Sequence, residues 1–267
     1  MHCKINAARQ TDMHRKSNAD AWITLHRKSN AVRPEELRCC AVFMTVMHLR
    51  IDMYKKFFKR LIDIVLSAIG LIICAIPFLV LTALIKAEDP GPALFTQKRF
   101  GNHKKFFTLY KFRSMRMDTP HDVPTHMLKD ADSYILKVGS FIRKFSIDEL
   151  PQLINIIKGD MSIIGPRPAL WNQEDLIEER DKYGANDVRP GLTGWAQING
   201  RDELEIPVKA AFDGEYVEKE SFLFDCRCFF GTFLKVLRHD GVVEGGTGSM
   251  SGKIPADAAA ADKDGNL

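Results

Sequence analysis

The sequence predicts a mostly helical α/β protein: one membrane-inserted helix, then a small cytosolic domain with amphipathic surface helices. Three observations carry this. Ile64 to Ile85 is an unbroken uncharged stretch containing Pro77. Ala93 to Phe112 reads as extended chain, with Phe106, Phe107, Leu109, Tyr110 and Phe112 set among lysines. Ser146 to Lys158 and Phe222 to Leu237 follow helical spacing.

Residues 1–52 resemble no regular element. His-Arg-Lys-Ser-Asn occurs at 14–18 and again at 26–30, a spacing too short for a solenoid repeat. Met53 opens a segment that would serve as a protein start, so 1–52 is expected to be a disordered or non-native extension. Lys55, Lys56, Lys59 and Arg60 then crowd the start of the apolar stretch. Cations so close to a membrane segment mark its cytoplasmic side.

At about 1.5 Å per residue, the stretch just matches a hydrocarbon core of roughly 30 Å. Pro77 removes one backbone hydrogen bond and favours a kink or break. Two topologies follow. A simple crossing would carry the rest of the chain outside the cytoplasm, whereas a helix broken at Pro77 would dip in and return. Asp63 is expected near the interface, paired with Lys59 or Arg60. The membrane region is thus 53–88, followed by a domain over 89–240 and a disordered tail rich in Gly, Ser, Ala and Asp over 241–267.

Within the domain, residues 118–133 are polar and read as a loop or mobile helix. In the 146–158 helix, Leu150, Leu153, Ile154 and Ile157 share a face, and Gly159 is placed to end it. Asn172 to Tyr183 is a charged helix and Arg189 to Arg201 a glycine-rich loop. Phe222 to Leu237 suits either a helix lying on a membrane surface or a buried core helix.

The charge of +4 resides in residues 1–52, and the remainder is balanced, which removes the case for a nucleic-acid partner. The six cysteines show no CxxC pair and are expected to be reduced packing thiols. P-loop, GxGxxG and HExxH motifs are absent, which argues against ATPases, dinucleotide enzymes and zincins.

The chemistry concentrates further on. Asp148 and Glu149 precede Leu150-Pro151. With Asp148 as N-cap, the helix N-terminus would keep its carboxylate ionised, fit to act as nucleophile or metal ligand. Gly165-Pro166-Arg167-Pro168 holds a guanidinium between two prolines, a fork suited to phosphate. Arg143, Arg113 and Lys111 add cations, as do Arg189 and Arg201 at the ends of the glycine-rich loop. Together they predict a polyphosphate site beside a carboxylate pair.

Lys59-Arg60-Leu61-Ile62-Asp63, Phe95 to Gly101, Tyr110 to Met115, Ser146 to Leu153, Lys158 to Ser162, Gly165 to Pro168 and Arg189 to Arg201 occur in that order. This series resembles the bacterial sugar transferases, the monotopic phosphoglycosyl transferases that start glycan assembly on polyprenyl phosphate. The likeness spans roughly 53–240, and the chain looks like the small form of the family, similar to the bacillosamine-phosphate transferase. It implies a re-entrant helix-break-helix, surface helices on the cytoplasmic face of the bacterial inner membrane, and a two-step reaction. Asp148 would attack the β-phosphate of a UDP-sugar, release UMP and hold a phosphosugar. Polyprenyl (undecaprenyl) phosphate would then take the phosphosugar.

By the same resemblance Glu149 helps hold Mg²⁺. Arg167, Arg143 and Arg113 neutralise phosphate, while Arg189 to Arg201 shapes the nucleotide-sugar pocket. Lys111 joins the binding set, and downstream glycosyltransferases are implied partners. The ending Leu237 to Val242 favours an N-acetylated sugar. Family members usually carry Ser-Pro at the membrane break, whereas this chain has Ile76-Pro77. A one-step transfer in which Asp148 only binds metal, and an inactive scaffold recruiting glycosyltransferases, are the competing readings.

Overall fold

The computed structural model describes residues 51–119, 131–200 and 204–238. The expectations for 1–50, for most of 118–133, for Arg201 and for the tail from residue 239 lie outside the described residues. The chain divides into two units, Met1–Phe58 and Lys59–Leu267. The described part of the first carries a π-helical turn at Tyr54–Phe58. The second unit contains everything that follows.

Helix α1, Lys59–Glu88, contains the apolar stretch. Among the described residues it belongs to the one helix long and apolar enough to cross a membrane. It runs through Pro77 without ending, so the expected helix-break-helix is a single helix carrying a proline. The physical reason is modest: proline withdraws one N–H, and apolar helix formers on both sides keep the helical phase.

The buried residues of α1 form a stripe. Lys59, Asp63 and Ser67 are buried at successive turns, Leu71 packs with Leu109 and Leu153, Phe78 and Leu81 pack beside Phe112, and Ile85 is fully buried. The other side is bare, with Ile72, Ile73, Ile76 and Leu79 each at least 70% exposed. One helix thus lies lengthwise against the domain and presents its opposite face as unbroken hydrocarbon.

Strands β1, Leu94–Phe100, and β2, Phe106–Phe112, resolve the expected extended chain into an antiparallel hairpin, with Phe95 opposite Lys111. Helices α2, Lys137–Lys144, and α3, Gln152–Lys158, follow. The amphipathic reading of α3 needs correction. Leu153 and Ile156 are buried, but so are Gln152 and Asn155, while Ile154 and Ile157 are each 37% exposed. The reason is the outer edge of β2. Asn155 accepts from Tyr110 N–H at 3.0 Å and donates to Thr108 C=O at 2.7 Å, which saturates that edge. Gly159 does end α3, in the left-handed region.

Strand β3, Ser162–Ile164, pairs in parallel with β4, Gly191–Thr193, across helix α4, Glu174–Asp181. The expected loop at 189–201 is therefore β4 followed by helix α5, Trp195–Asn199. Helices α6, Ile206–Lys219, and α7, Phe222–Arg238, close the fold. The last helix is buried on one face, as the core reading expects, and exposes apolar side chains on the other. Phe224, Asp225 and Cys228 are buried, whereas Leu223, Phe230 and Phe233 are exposed. The described cysteines are free, and burial pushes the Cys228 thiol up to about 12, consistent with an inert packing role.

The first and last helices are joined by a buried polar cluster. Lys59 Nζ contacts Asp225 Oδ2 and Tyr216 Oη at 2.5 Å each and Glu220 Oε1 at 3.4 Å, so the expected Lys59–Asp63 pair is not formed. Asp63 instead accepts the Ile163 N–H at 2.9 Å. Removing the cation while leaving its acids buried is strongly unfavourable. Lys59→Met should therefore cost about 3–5 kcal/mol and lower the melting temperature by roughly 10 °C. Thermal unfolding of both proteins in one detergent measures this, and equal melting would refute the role given to Lys59.

Candidate active site

Asp148 and Glu149 lie in a 3-10 turn, Ile147–Glu149, between α2 and α3. The turn is set up by Ser146, which adopts left-handed backbone (φ 55°, ψ 25°) and so bends the chain sharply after Phe145. A non-glycine residue there stores strain that neighbouring packing must hold. Ile147 supplies some of it by packing on the cluster of Ile85, Phe112, Leu136 and Ile142.

Asp148 is therefore not the N-cap of α3, whose first residue is Gln152 after Pro151. The expected effect of the helix terminus is overridden. Burial, reinforced by the Glu149 charge, pushes the Asp148 carboxyl up to about 6, against the pull of Lys111, Arg143 and Arg167. At neutral pH the group is still mainly ionised, but it is a far more basic carboxylate than an exposed one.

Three cations from three elements surround it. Lys111 projects from β2 with its ammonium 5.1 Å from the Phe95 ring centroid, and burial lowers its pKa. Arg143 occupies the last turn of α2, where the helix dipole favours a cation. Arg167 grips Glu149 with both arms of its guanidinium, Nη2 to Oε1 at 2.7 Å and Nη1 to Oε2 at 3.3 Å. This bidentate fork fixes the second carboxylate beside the first.

Arg167 owes its placement to a backbone crossing. Gly165 N–H donates to Thr193 C=O and Gly191 N–H to Pro166 C=O, each at 2.8 Å. A Cβ on Gly194 would stand 2.1 Å from Gly165 O, and one on Gly191 the same distance from Gly165 N. These glycines let two strands meet, which explains their number better than a nucleotide-cradling loop does.

The remaining sequence-derived residues lie elsewhere. Arg113 is buried and bound to Asp89, through Nη1 to Oδ2 at 2.7 Å and Nη2 to the Asp89 carbonyl. It anchors the segment leaving α1. Arg189 is exposed and its charge lies near Arg60, which itself donates to Ile156 and Ile157 carbonyls at the far end of α3. Pro77 sits on the exposed face of α1. Arg99 was absent from the expected set, yet its charge reaches Lys111 and its Nη1 donates to Pro168 C=O at 3.0 Å, bracing the Arg167 loop. Its place in the Gln97-Lys98-Arg99 motif was the available signal.

No group of three or more His, Cys, Asp or Glu side chains converges among the described residues. The donor set at the site is the Asp148–Glu149 pair. That set fits a hard cation arriving with water and phosphate oxygens as its other ligands, which is how Mg²⁺ is usually bound. It does not resemble an all-protein cage.

Comparison with known proteins gives the chain's relatives. Residues 54–239 match the family model described as bacterial sugar transferase. The chain is 42% identical over 185 residues to the uncharacterized sugar transferase EpsL of Bacillus subtilis (strain 168), covering 69% of this chain and 89% of that one. It is 38% identical over 201 residues to undecaprenyl-phosphate galactose phosphotransferase of Salmonella typhimurium, covering 70% and 42%. To UDP-glucose:undecaprenyl-phosphate glucose-1-phosphate transferase of Escherichia coli it is 38% identical over 187 residues, covering 67% and 40%. The chain thus spans most of the first relative but less than half of the other two.

The pKa of Asp148 has a consequence for stability. The fold favours the neutral carboxyl, so the stability tied to this group is complete below its unfolded value near 3.8 and is lost as pH rises through about 6. Asp148→Asn, which cannot ionise, should melt about 2–6 °C above the parent at pH 7.5, with the gain vanishing near pH 4. Melting curves across that range check it; a gain independent of pH would show another cause.

Proposed function

The chain belongs to the bacterial sugar transferase family, and from this premise we propose that it transfers a sugar 1-phosphate from a UDP-sugar to polyprenyl phosphate. The observation that carries the reading is the nucleophile in its setting: a buried, basic carboxylate ringed by Lys111, Arg143 and Arg167. Such a site suits a diphosphate, whose charge matches the cations, and an attacking group that must be anionic yet reactive.

In the first step an Asp148 oxygen bonds to the β-phosphorus of the donor. The bridging P–O bond breaks and UMP leaves with its electron pair. In the second, an oxygen of polyprenyl phosphate bonds to the same phosphorus and the acyl–phosphate bond breaks, restoring the carboxylate. Lys111, Arg143 and Arg167 neutralise charge that spreads over the phosphoryl oxygens. A bound Mg²⁺, held by Glu149 with phosphate oxygens, would add electrostatic stabilisation of the breaking anhydride.

The topology belongs to the same proposal. The stripe from Lys59 to Ile85 packs on one domain, before and after Pro77 alike. A helix crossing the bilayer along its normal would carry that packed surface into hydrocarbon. This supports a helix whose two ends stay on the cytoplasmic face. The bare side would then meet lipid, where the acceptor's phosphate also lies.

Purified protein with Mg²⁺, undecaprenyl phosphate and UDP-glucose, UDP-galactose or an N-acetylated UDP-hexosamine should release UMP with at least one donor, the N-acetylated one being favoured. Without acceptor, a phosphosugar adduct should appear by mass spectrometry on the parent and be absent from Asp148→Asn. With the cognate donor, kcat/KM should fall about tenfold per pH unit below 6 and level off above it. No UMP from any donor would favour the scaffold reading; UMP without any adduct would favour one-step transfer. In spheroplasts, cysteines placed at Lys55 and Lys86 should both be shielded from an impermeant thiol reagent, and labelling at one position alone would establish a crossing.

A further inference from the structure

A fourth cation reaches the site from the other strand of the hairpin and has no task in the scheme above. Along β1, Phe95, Gln97 and Arg99 alternate onto one face, and Phe95 stands opposite Lys111 of β2. Lys111 and Arg99 therefore project from the same face of the sheet. The segment after Arg167 runs along the free edge of β1, where Phe100 N–H donates to Ala169 C=O at 3.0 Å and Arg99 bridges Leu170. Arg99 Nη1 meets Pro168 C=O, the carbonyl next to Arg167, at 3.0 Å. The half-buried guanidinium thus stands beside the Arg167 loop and on the Lys111 face together.

Gln97 aims it. A single carboxamide oxygen, Oε1, accepts Arg99 Nε–H at 3.1 Å and Nη2–H at 2.7 Å, which fixes the plane of the guanidinium. This acceptor and Pro168 C=O are both neutral, so they orient the cation without cancelling its charge. Its place relative to the nucleophile also follows. Asp148 feels Lys111, Arg143 and Arg167, whereas Arg99 is felt by Lys111, more strongly than Glu149 is. Arg99 accordingly lies one group further out from the carboxylate than the three cations already described.

In-line phosphoryl transfer puts the attacking and leaving oxygens on opposite sides of the phosphorus. The departing phosphate must therefore form beyond the transferred group as seen from Asp148, where an outer cation is useful. We infer that Arg99 is a substrate-contacting residue that donates N–H bonds to the α-phosphate of the nucleotide donor, with Gln97 as its positioning residue. The inference rests on the phosphosugar-transfer reading of the site. As the bridging bond breaks, the electron pair passes to the α-phosphate, which leaves within UMP. Contacts to it strengthen toward the transition state. They belong to the first step alone, because no nucleotide is present in the second.

The test uses Arg99→Met, which removes the guanidinium, and Gln97→Glu, which keeps an acceptor on it but makes that acceptor anionic. The second variant retains the brace and cancels the charge, so it should fold and melt like the parent. Adduct formation from the UDP-sugar should slow about 10–100-fold in Arg99→Met, the size expected for a lost charge-assisted hydrogen bond, and less in Gln97→Glu. Discharge of the isolated adduct by undecaprenyl phosphate should stay within about twofold of the parent in both. By calorimetry, Arg99→Met should bind UMP about tenfold more weakly and uridine unchanged. Equal slowing of both steps overturns the inference, as does a joint loss of UMP and uridine binding, since either would mark a mere brace for the Arg167 loop. A parent protein that releases no UMP overturns the proposed function and this inference together. An active parent with an equally fast Arg99→Met variant overturns this inference alone.

Discussion

One buried cation holds the fold closed. Lys59, at the start of α1, is enclosed by Asp225 in the first turn of α7, by Glu220 at the C-terminal end of α6 and by Tyr216 of α6. Helices from the two ends of the described chain are thereby fixed to each other, and Tyr216 extends the connection to Ile164 C=O of β3 at 3.1 Å. Since β3 leads directly into Gly165 and Arg167, the register of the Arg167 guanidinium is linked to the first turn of the apolar helix. Ion pairs of this kind contribute little net stability over an apolar substitute, but they select one arrangement among many. That selectivity matters where two apolar helices would otherwise slide.

The site itself is a balance between desolvation and charge. Three cations near Asp148 would normally drive a carboxylate to low pKa, yet burial and its Glu149 neighbour win and leave it near 6. Arg167 is bonded to Glu149, so its charge is shared with the second acid. The arrangement keeps the Asp148 carboxylate basic while maintaining a positive surround, both of which the proposed nucleophilic role requires. Both conditions would fail if Arg167 paired with Asp148 directly.

Much of this was legible in the sequence. The extended chain at 93–112 could be read from its composition, though not its hairpin, and the adjacent Asp148-Glu149 pair and the proline-flanked Arg167 were visible as chemistry before any fold was known. Their convergence was not, because Lys111, Arg143 and Arg167 come from three elements whose spacing carries no distance. The glycine-rich segment misled, since glycines that permit close backbone approach look the same as glycines of a loop. Helix α6 escaped notice because its interior contains Asp213, buried against Arg180 at 2.6 Å, which erases the apolar period. The exposed Ile154 and Ile157 misled for the opposite reason, apolar side chains facing outward while Asn155 faces in.

The one-sided burial of α1 also dictates how the molecule can be handled away from its native surroundings. A helix that passes through a bilayer is solubilised by an amphiphile belt wrapped around its full circumference. Here a stripe of that circumference is taken up by the protein's own domain, and the face with Ile72, Ile76 and Leu79 is left bare. The amphiphile must therefore sit as an off-centre cap.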